Sequence, residues 1–212
     1  MSNRLVIAGA GGFGRELVWQ VESSPKFMGT NSISEVVLID DNWSRTSLQS
    51  NVVGPVSGYF PEESDVVLVA IGDPLGRKSV SDLLRSRGAN FTTFRHDQSV
   101  IGQRVMLSQG SIICLDARVT VDCHVGEFVV VNVNTSIGHD VFIGDFVTIG
   151  PGCNLTGRVR VESKASIGAG AVLNPGIVVA QNARVASGST VIKDVPAGTL
   201  VAGSPAHEVW SR

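Results

Sequence analysis

The chain has 212 residues, 43% of them hydrophobic and only 6% aromatic, and its 17 Lys and Arg nearly balance 19 Asp and Glu, for a formal net charge of −2. This balance, without a basic run, argues against nucleic acid as the main partner. The longest aliphatic runs, 66–71 and 128–131, are too short to cross a bilayer, and the N-terminus lacks a signal-peptide pattern. The sequence therefore predicts a cytoplasmic protein with no membrane partner.

Residues 1–95 are predicted to form a small Rossmann-like α/β domain. Apolar runs at 4–8, 36–39, 66–71 and 91–94 predict four strands, and helical patterns occur at 15–23 and 75–87. Alternating strands and helices favour a parallel sheet, whose ligand crevice lies at the carboxyl ends of the strands. The glycine-rich turn, the acidic residues after the second strand and Gly72 after the third all fall at that edge.

The sequence GAGGFG at 9–14 follows the first predicted strand and opens the first predicted helix. Asp40 and Asp41 come 26 and 27 residues after Gly14, at the end of the next strand. Acidic residues at that place can bind a ribose hydroxyl. A dinucleotide usually requires a larger sheet, so a mononucleotide or a nucleotide-sugar is favoured. The alternative is that the glycines only let the helix pack against the strand.

A six-residue repeat defines the rest of the chain, because every sixth residue from Ile101 to Val191 is Ile, Leu or Val, in sixteen positions out of sixteen. This period fits a parallel β-helix with three hexads per coil. Residues 96–212 are therefore predicted to form an all-β domain of about five coils with a C-terminal cap. The first residue of each hexad is predicted to point inward, and glycines at second positions to allow tight corners.

The cysteines and histidines of the repeat do not suggest a metal. Cys114, Cys123 and Cys153 occupy second or fifth hexad positions, which favours small core residues over disulfides or ligands. A zinc site in a β-helix would need three converging histidines. Only His124 and His139 lie in the hexads, fifteen residues apart instead of the eighteen of one coil. No metal cofactor is predicted.

His139 is the strongest candidate for chemistry. It occupies the third position of its hexad and is followed by Asp140. A neutral imidazole is the usual base for removing a proton from an attacking amine or hydroxyl. Adjacent side chains on a flat strand point to opposite faces, so a contact between His139 and Asp140 requires a corner of the coil. The alternative is an exposed histidine without a function.

Several motifs in this order resemble the bacterial sugar acyltransferases of the NeuD/PglD type. They are the glycine turn, the DD pair at 40–41, IGD at 71–73, the hexads, IGHD at 137–140 and GSPA at 203–206. The resemblance covers essentially the whole chain. It implies a left-handed β-helix, a homotrimer, acetyl-CoA as acyl donor, and a nucleotide-sugar acceptor held by the N-terminal domain, in surface-glycan biosynthesis.

The resemblance also implies roles for particular residues on the acceptor side. His139 is implied as the proton acceptor and Asp140 as its modulator. The implied substrate-binding residues are Gly11, Gly12 and Phe13 for the phosphates, Asp40 and Asp41 for the nucleoside, and Gly72 for the sugar nucleotide.

On the donor side, acetyl-CoA is implied to lie in the groove between neighbouring β-helices, near the backbone of Gly157, Ala169 and Ser187. Members of the family can carry a second histidine nine residues after the first, in contact with the thioester. This sequence has Thr148 at that place. A hydroxyl can still donate one hydrogen bond to the donor, so the departure bears on the substrate more than on acetyl transfer.

The resemblance favours N-acetylation of a nucleotide-linked 4-amino-sugar by direct transfer in a ternary complex, with no covalent acyl-enzyme. Two alternatives stay open at this point. The acceptor could be the hydroxyl of sialic acid or a related sugar, or the chain could form a trimer that binds nucleotide-sugars without catalysis. His139 beside Asp140 argues against the second alternative.

Overall fold

The computed structural model of the chain describes residues 2–42 and 51–211. These residues divide into two compact units, of which the first ends at Asp97 and the second begins at Gln98. Within the described residues, no helix is long and apolar enough to cross a membrane.

The first unit is built on one parallel sheet. Its strands are β1 (Asn3–Ala8), β2 (Ile33–Ile39), β3 (Val52–Gly54) and β4 (Asp65–Val69), in the order β3-β2-β1-β4. Its helices are α1 (Gly12–Glu22), α2 (Pro25–Thr30) and α3 (Pro74–Ser86), with a 3₁₀ helix at Val56–Gly58. Residues 5–8 and 65–69 are all buried, which explains the continuous aliphatic runs at 5–8 in β1 and 66–69 in β4.

The fourth strand of this sheet is not the one predicted at 91–94. Phe91 forms a single bridge with Val67, and Phe94–Arg95 is a two-residue strand, β5, that does not belong to this sheet. The fourth position is taken by β3, which pairs with β2. Because β3 has only three residues, is partly exposed and is followed by Pro55, its sequence carries no strand-length apolar pattern. Helix α2, six residues long with Pro25 in its first turn, was also not predicted.

The second unit is a parallel β-helix of two-residue strands in three sheets. The first sheet contains β6 (Val100–Ile101), β9 (Arg118–Val119), β12 (Ser136–Ile137), β15 (Asn154–Leu155), β18 (Val172–Leu173) and β21 (Thr190–Val191). The second contains β7 (Met106–Leu107), β10 (His124–Val125), β13 (Phe142–Ile143), β16 (Arg160–Val161) and β19 (Val178–Val179). The third contains β8 (Ile112–Ile113), β11 (Val130–Val131), β14 (Thr148–Ile149), β17 (Ser166–Ile167) and β20 (Arg184–Val185).

Each coil advances by eighteen residues, as in the pairing of Ile137 with Leu155. The chain passes from the first sheet to the second, then to the third and back to the first. We call the corner between the first and second sheets the first edge, and the corner between the third and first sheets the third edge. His139 lies on the first edge, directly after β12.

The hexad register predicted from the sequence is confirmed in the core. All fourteen first-position residues from Ile113 to Val191 are at most 3% exposed, whereas Ile101 and Leu107 of the first coil are only partly buried. The three cysteines are buried in free thiol form. Burial raises the pKa of the Cys123 and Cys153 thiols, as expected for thiols packed in a core.

The corners of the coil form differently from the prediction. Left-handed backbone angles, with φ from 53° to 76°, occur at the fourth position of fifteen hexads, and most of these residues are not glycine. The second-position glycines have no such angle. A methyl group placed on Gly102 would lie 1.8 Å from the Thr120 carbonyl oxygen, and one on Gly150 would lie 2.8 Å from the Ala169 nitrogen. These glycines therefore allow close stacking of successive coils instead of a special turn.

A C-terminal hairpin follows the last hexad. Strand β22 (Thr199–Gly203) adds to the third sheet beside β20, with Val201 opposite Val185, and β23 (Ala206–Ser211) returns antiparallel to it. Val201 is 6% exposed and belongs to the core of the β-helix. The segment thus covers the last coil by extending one sheet.

Candidate functional site

The first edge of the β-helix carries a paired histidine and carboxylate. Asp140 has a left-handed φ of 58°, and this corner lets two adjacent side chains point the same way. The Nδ1 atom of His139 lies 2.7 Å from Oδ2 of Asp140, and both side chains are about half exposed. With Nδ1–H donating to the carboxylate, Nε2 is left as the nitrogen that can accept a proton. The geometric condition that the sequence set for this contact is met.

The imidazole of His139 lies against the next coil. A methyl group placed on Gly157 would lie 2.4 Å from Nε2 of His139 and 2.6 Å from Cε1. The backbones of the two coils are tied on either side of the ring, since Gly138 N–H donates to the Leu155 carbonyl at 2.7 Å and Arg158 N–H donates to the His139 carbonyl at 2.9 Å. The position of the ring is therefore defined by Asp140 on one side and by Gly157 on the other.

The residues predicted to bind acetyl-CoA do not all lie on the first edge. Gly157 shares the first edge with His139, one coil further on. Ala169 and Ser187 follow β17 and β20, so they lie on the third edge. Thr148 lies in β14 of the third sheet, between Val130 and Ser166 of the neighbouring strands. A single chain thus presents its predicted donor residues on two edges and one face.

The second sheet carries the other hexad histidine. The ring of His124 stacks on Phe142 with centroids 4.9 Å apart and planes inclined by 9°. The guanidinium carbon of Arg160 lies 4.2 Å from the centroid of the same Phe142 ring. His124 is therefore one member of a surface stack, and the structure explains it by aromatic packing.

In the first unit, the glycine turn combines packing with an open helix end. A methyl group on Gly9 would lie 2.7 Å from the Ala70 carbonyl oxygen and one on Gly14 would lie 1.9 Å from the Gly9 oxygen, so these two glycines serve packing. Gly11 and Gly12 are exposed and have nothing within 4 Å of the added methyl position. Helix α1 begins at Gly12 with no side-chain cap and no acidic residue in its first turn. Its N-terminal N–H groups can therefore receive an anion.

Asp40 and Asp41 already hold parts of the protein backbone. Asp40 Oδ2 accepts a hydrogen bond from Ala10 N–H at 2.7 Å, so this carboxylate fixes the glycine turn. Asp41 Oδ1 accepts from the backbone N–H of Ser57 at 3.0 Å and from its hydroxyl at 2.7 Å. Each carboxylate keeps further lone pairs for a ligand. The contact with a nucleoside stays a prediction.

A buried arginine lies beneath the loop that follows β4. Arg77 is 0% exposed, and its guanidinium donates to the carbonyls of Ile71 at 2.6 Å and Gly72 at 3.2 Å. Burial lowers its pKa to about 10, against the opposing charge of Asp73. Arg77 was not predicted from the sequence, because arginines on an amphipathic helix are usually exposed. Gly72, predicted to contact the sugar nucleotide, is one of the groups that Arg77 holds.

Among residues 2–42 and 51–211, no three His, Cys, Asp or Glu side chains are grouped as metal ligands.

Comparison with known proteins gives consistent matches. The model of the PglD N-terminal domain matches residues 4–84. The GDP-perosamine N-acetyltransferase of Escherichia coli O157:H7 is 31% identical over 136 residues, which are 63% of this chain and 61% of that enzyme. The chain therefore spans less than two thirds of the length of this curated relative.

Two solved structures match nearly the whole chain. WeeI from Acinetobacter baumannii AYE is 30% identical, with a TM-score of 0.88 over 98% of this chain and 100% of that one. The acetyltransferase domain of PglB from Neisseria gonorrhoeae FA1090 in complex with acetyl coenzyme A is 25% identical, with a TM-score of 0.87 over 99% of this chain and 100% of that one.

These matches define a two-domain protein with an α/β N-terminal domain and a left-handed parallel β-helix of hexapeptide repeats, which confirms the predicted fold class. The chain belongs to the NeuD/PglD-type family of bacterial sugar acyltransferases, so the resemblance inferred from the sequence is confirmed.

Proposed function

We propose that this protein is an acetyl-CoA-dependent acetyltransferase that N-acetylates a nucleotide-linked 4-amino-sugar, with His139 as general base. The observation that carries the proposal is the His139–Asp140 pair, held at 2.7 Å on an exposed edge of the β-helix. The family supports acyl transfer to a sugar, and the E. coli relative is by name a GDP-perosamine N-acetyltransferase. One of the structural relatives was solved with acetyl coenzyme A.

The proposed reaction is a direct transfer. The neutral amine of the sugar attacks the thioester carbonyl carbon, so that a C–N bond forms while its proton passes to Nε2 of His139. The tetrahedral intermediate collapses, the C–S bond breaks, and the CoA thiolate leaves and takes up a proton. Asp140 holds Nδ1–H and so keeps the ring in the tautomer that the step requires. In the described part of the chain the N–H of Gly157 donates no hydrogen bond, so it is available for the oxyanion.

The N-terminal unit supplies the proposed acceptor site. The exposed turn at Gly11 and Gly12, beside Phe13 at the uncapped start of α1, suits a diphosphate. Asp40 and Asp41 lie after β2 at the same edge of the sheet, where a ribose would follow. Gly72 follows β4, which pairs with β1 on the side opposite β2, so it lies at the same edge of the sheet.

A homotrimer is the assembly that we propose. The donor residues Gly157 and Ala169 lie on different edges of the β-helix. A ring of three copies related by one rotation would bring the first edge of one copy beside the third edge of the next. Gly157 of one copy and Ala169, Ser187 and Thr148 of its neighbour would then line a common groove for acetyl-CoA. Both substrates carry phosphates that do not cross a bilayer unaided, which supports a cytoplasmic enzyme.

A hydroxyl acceptor is the second candidate, and Thr148 is the observation that favours it. Where some family members place a second histidine against the thioester, this chain offers a hydroxyl. The acceptor need not be an amine if the site tolerates this change. The product of such a reaction would be an ester on sialic acid or a related sugar.

A thiol-release assay with acetyl-CoA tests both candidates. The purified protein is mixed with UDP-, GDP- and dTDP-linked 4-amino-sugars, or with sialic acid and its CMP conjugate, and free CoA is measured. N-acetylation predicts release with an amino-sugar nucleotide and a product that resists alkaline hydroxylamine, because amides resist this reagent and acetyl esters do not. No release above the acetyl-CoA blank with any acceptor would overturn the proposed function.

A further inference from the structure

Gly157 is unusual among the corner residues of the repeat. The third position of the sixteen hexads is Gln, Leu, Val, Glu, His, Asp, Pro, Ser, Ala or Lys everywhere except at Gly157. The backbone does not demand glycine there, because Gly157 has no left-handed φ, and that conformation belongs to the next residue, Arg158, at 61°. Ala169 and Ser163 show that the corner accepts a side chain at this position. The glycine at 157 needs another explanation.

The imidazole of His139 provides that explanation. The atoms nearest to a methyl group placed on Gly157 are Nε2, Cε1 and Cδ2 of His139, at 2.4, 2.6 and 3.1 Å. No backbone atom is among them. The coil spacing at this point is fixed by hydrogen bonds on both sides of the ring, from Gly138 to Leu155 and from Arg158 to His139. A side chain at 157 would therefore compete with the imidazole for one space.

We infer that Gly157 is a positioning residue for His139. Because Gly157 has no side chain, it leaves the space in which the imidazole lies, with Nδ1 in contact with Asp140 and Nε2 free for the acceptor. The catalytic consequence rests on the proposed function, whereas the packing itself does not. With alanine at 157, the ring must turn away because the backbone cannot, and the 2.7 Å contact with Asp140 is lost. A surface side chain can turn at little cost, so the fold should be unaffected.

The test is a kinetic cycle in the full-length protein with Gly157→Ala, His139→Ala and the double variant. Gly157→Ala should lower kcat by about 10²-fold, the usual effect of displacing a catalytic group by about 1 Å. The KM for acetyl-CoA should change little. In the His139→Ala background the same methyl should cause no further loss, because there is no ring left to displace. Gly29→Ala is the control, because its methyl group, unlike that of Gly157→Ala, would have no atom within 4 Å, and it should keep the parent kcat.

Two kinetic results would overturn the inference. One is an equal loss of kcat from Gly157→Ala in both backgrounds, which would mean that the methyl acts on acetyl-CoA or the backbone directly. The other is the parent kcat in Gly157→Ala.

A spectroscopic measurement separates this inference from the proposed function. Long-range ¹H–¹⁵N spectra report the tautomer and environment of the His139 ring without any substrate. We expect the signals of the Nδ1–H form in the parent protein and a changed pattern in Gly157→Ala. Identical spectra would overturn the inference that Gly157 positions the ring, even if acetyl transfer were established. If the spectrum of Gly157→Ala is altered but the parent protein transfers no acetyl group, the positioning of the ring by Gly157 is supported and the proposed function is rejected.

Discussion

Replacing His139 by Ala removes the proposed base without opening the core. The side chain is 52% exposed and lies on an edge of the β-helix, outside the buried first and fifth positions. Its removal should therefore change the free energy of unfolding by no more than about 0.5 kcal/mol. A positioned general base contributes about 10²–10⁴-fold in rate, so kcat should fall by that factor. This corresponds to about 2.7–5.4 kcal/mol of transition-state stabilisation.

His124→Ala is the matched control for this prediction. Both histidines belong to the same repeat, but His124 lies on a strand, stacked on Phe142. Its truncation should lower the stability slightly through lost stacking and leave kcat within a few-fold of the parent. Initial rates of thiol release at saturating substrates, together with thermal unfolding of both variants, measure the two effects separately.

Turnover of His139→Ala at the parent rate, with both substrates saturating, would exclude His139 as the general base. A similar loss in His124→Ala would also count against it, since the effect would then be one of surface packing. If His139→Ala lowers kcat and the unfolding temperature and also dissociates the oligomer, His139 contributes to assembly. Its catalytic role must then be judged from Asp140→Asn, a substitution that preserves the volume of the His139–Asp140 pair.

Three other predictions concern the N-terminal unit. Arg77→Met should lower the free energy of unfolding by about 1–3 kcal/mol because the carbonyls of the loop after β4 lose their buried donor, and Arg77→Lys should recover part of it, as measured by urea unfolding. Burial opposes the ionisation of Asp65, but hydrogen bonds, led by the one from Arg4, have the larger effect and lower the pKa of this carboxyl. The free energy of unfolding should therefore decrease as the pH falls below about 4. Unfolding curves measured across pH should show a weaker decrease in Asp65→Asn. Gly11→Val and Asp40→Ala should weaken binding of the acceptor nucleotide while acetyl-CoA binding is kept, and calorimetry showing equal loss of both ligands would contradict the separate sites.

The sequence predicted the β-helix well because its register is local. Each hexad sets one side of the coil, so the identity of the residue at each first position decides its burial without reference to distant parts of the chain. From the sequence, a contact between His139 and Asp140 required a corner of the coil at that place, and the left-handed φ of 58° at Asp140 provides it. The first coil departs from the pattern only because Ile101 has no coil on one side to cover it.

Features that depend on contacts across the fold were harder to predict. Strand β3 forms because it pairs with β2. Its three partly exposed residues carry no sequence pattern that predicts this pairing. Arg77 is buried because the loop carbonyls of Ile71 and Gly72 need a donor, a requirement that appears only when the loop has folded over α3. Asp40 was predicted as a ligand contact, and its hydrogen bond with Ala10 depends on how the glycine turn meets the end of β2.

The relation between His139 and Gly157 lies between these two cases, because it crosses coils and yet has a sequence signal. Residues eighteen apart in a three-sided repeat stack directly, as Ile137 and Leu155 do. At the first edge the imidazole of His139 lies against the next coil in the space left by Gly157, which has no side chain. The core positions fix the fold independently of these corner residues, so the corner is free to vary with chemistry. A glycine eighteen residues after a corner histidine is therefore a physical criterion for distinguishing a histidine held in place as a base from an ordinary surface histidine. His124 does not meet this criterion, because Phe142 follows it at that interval.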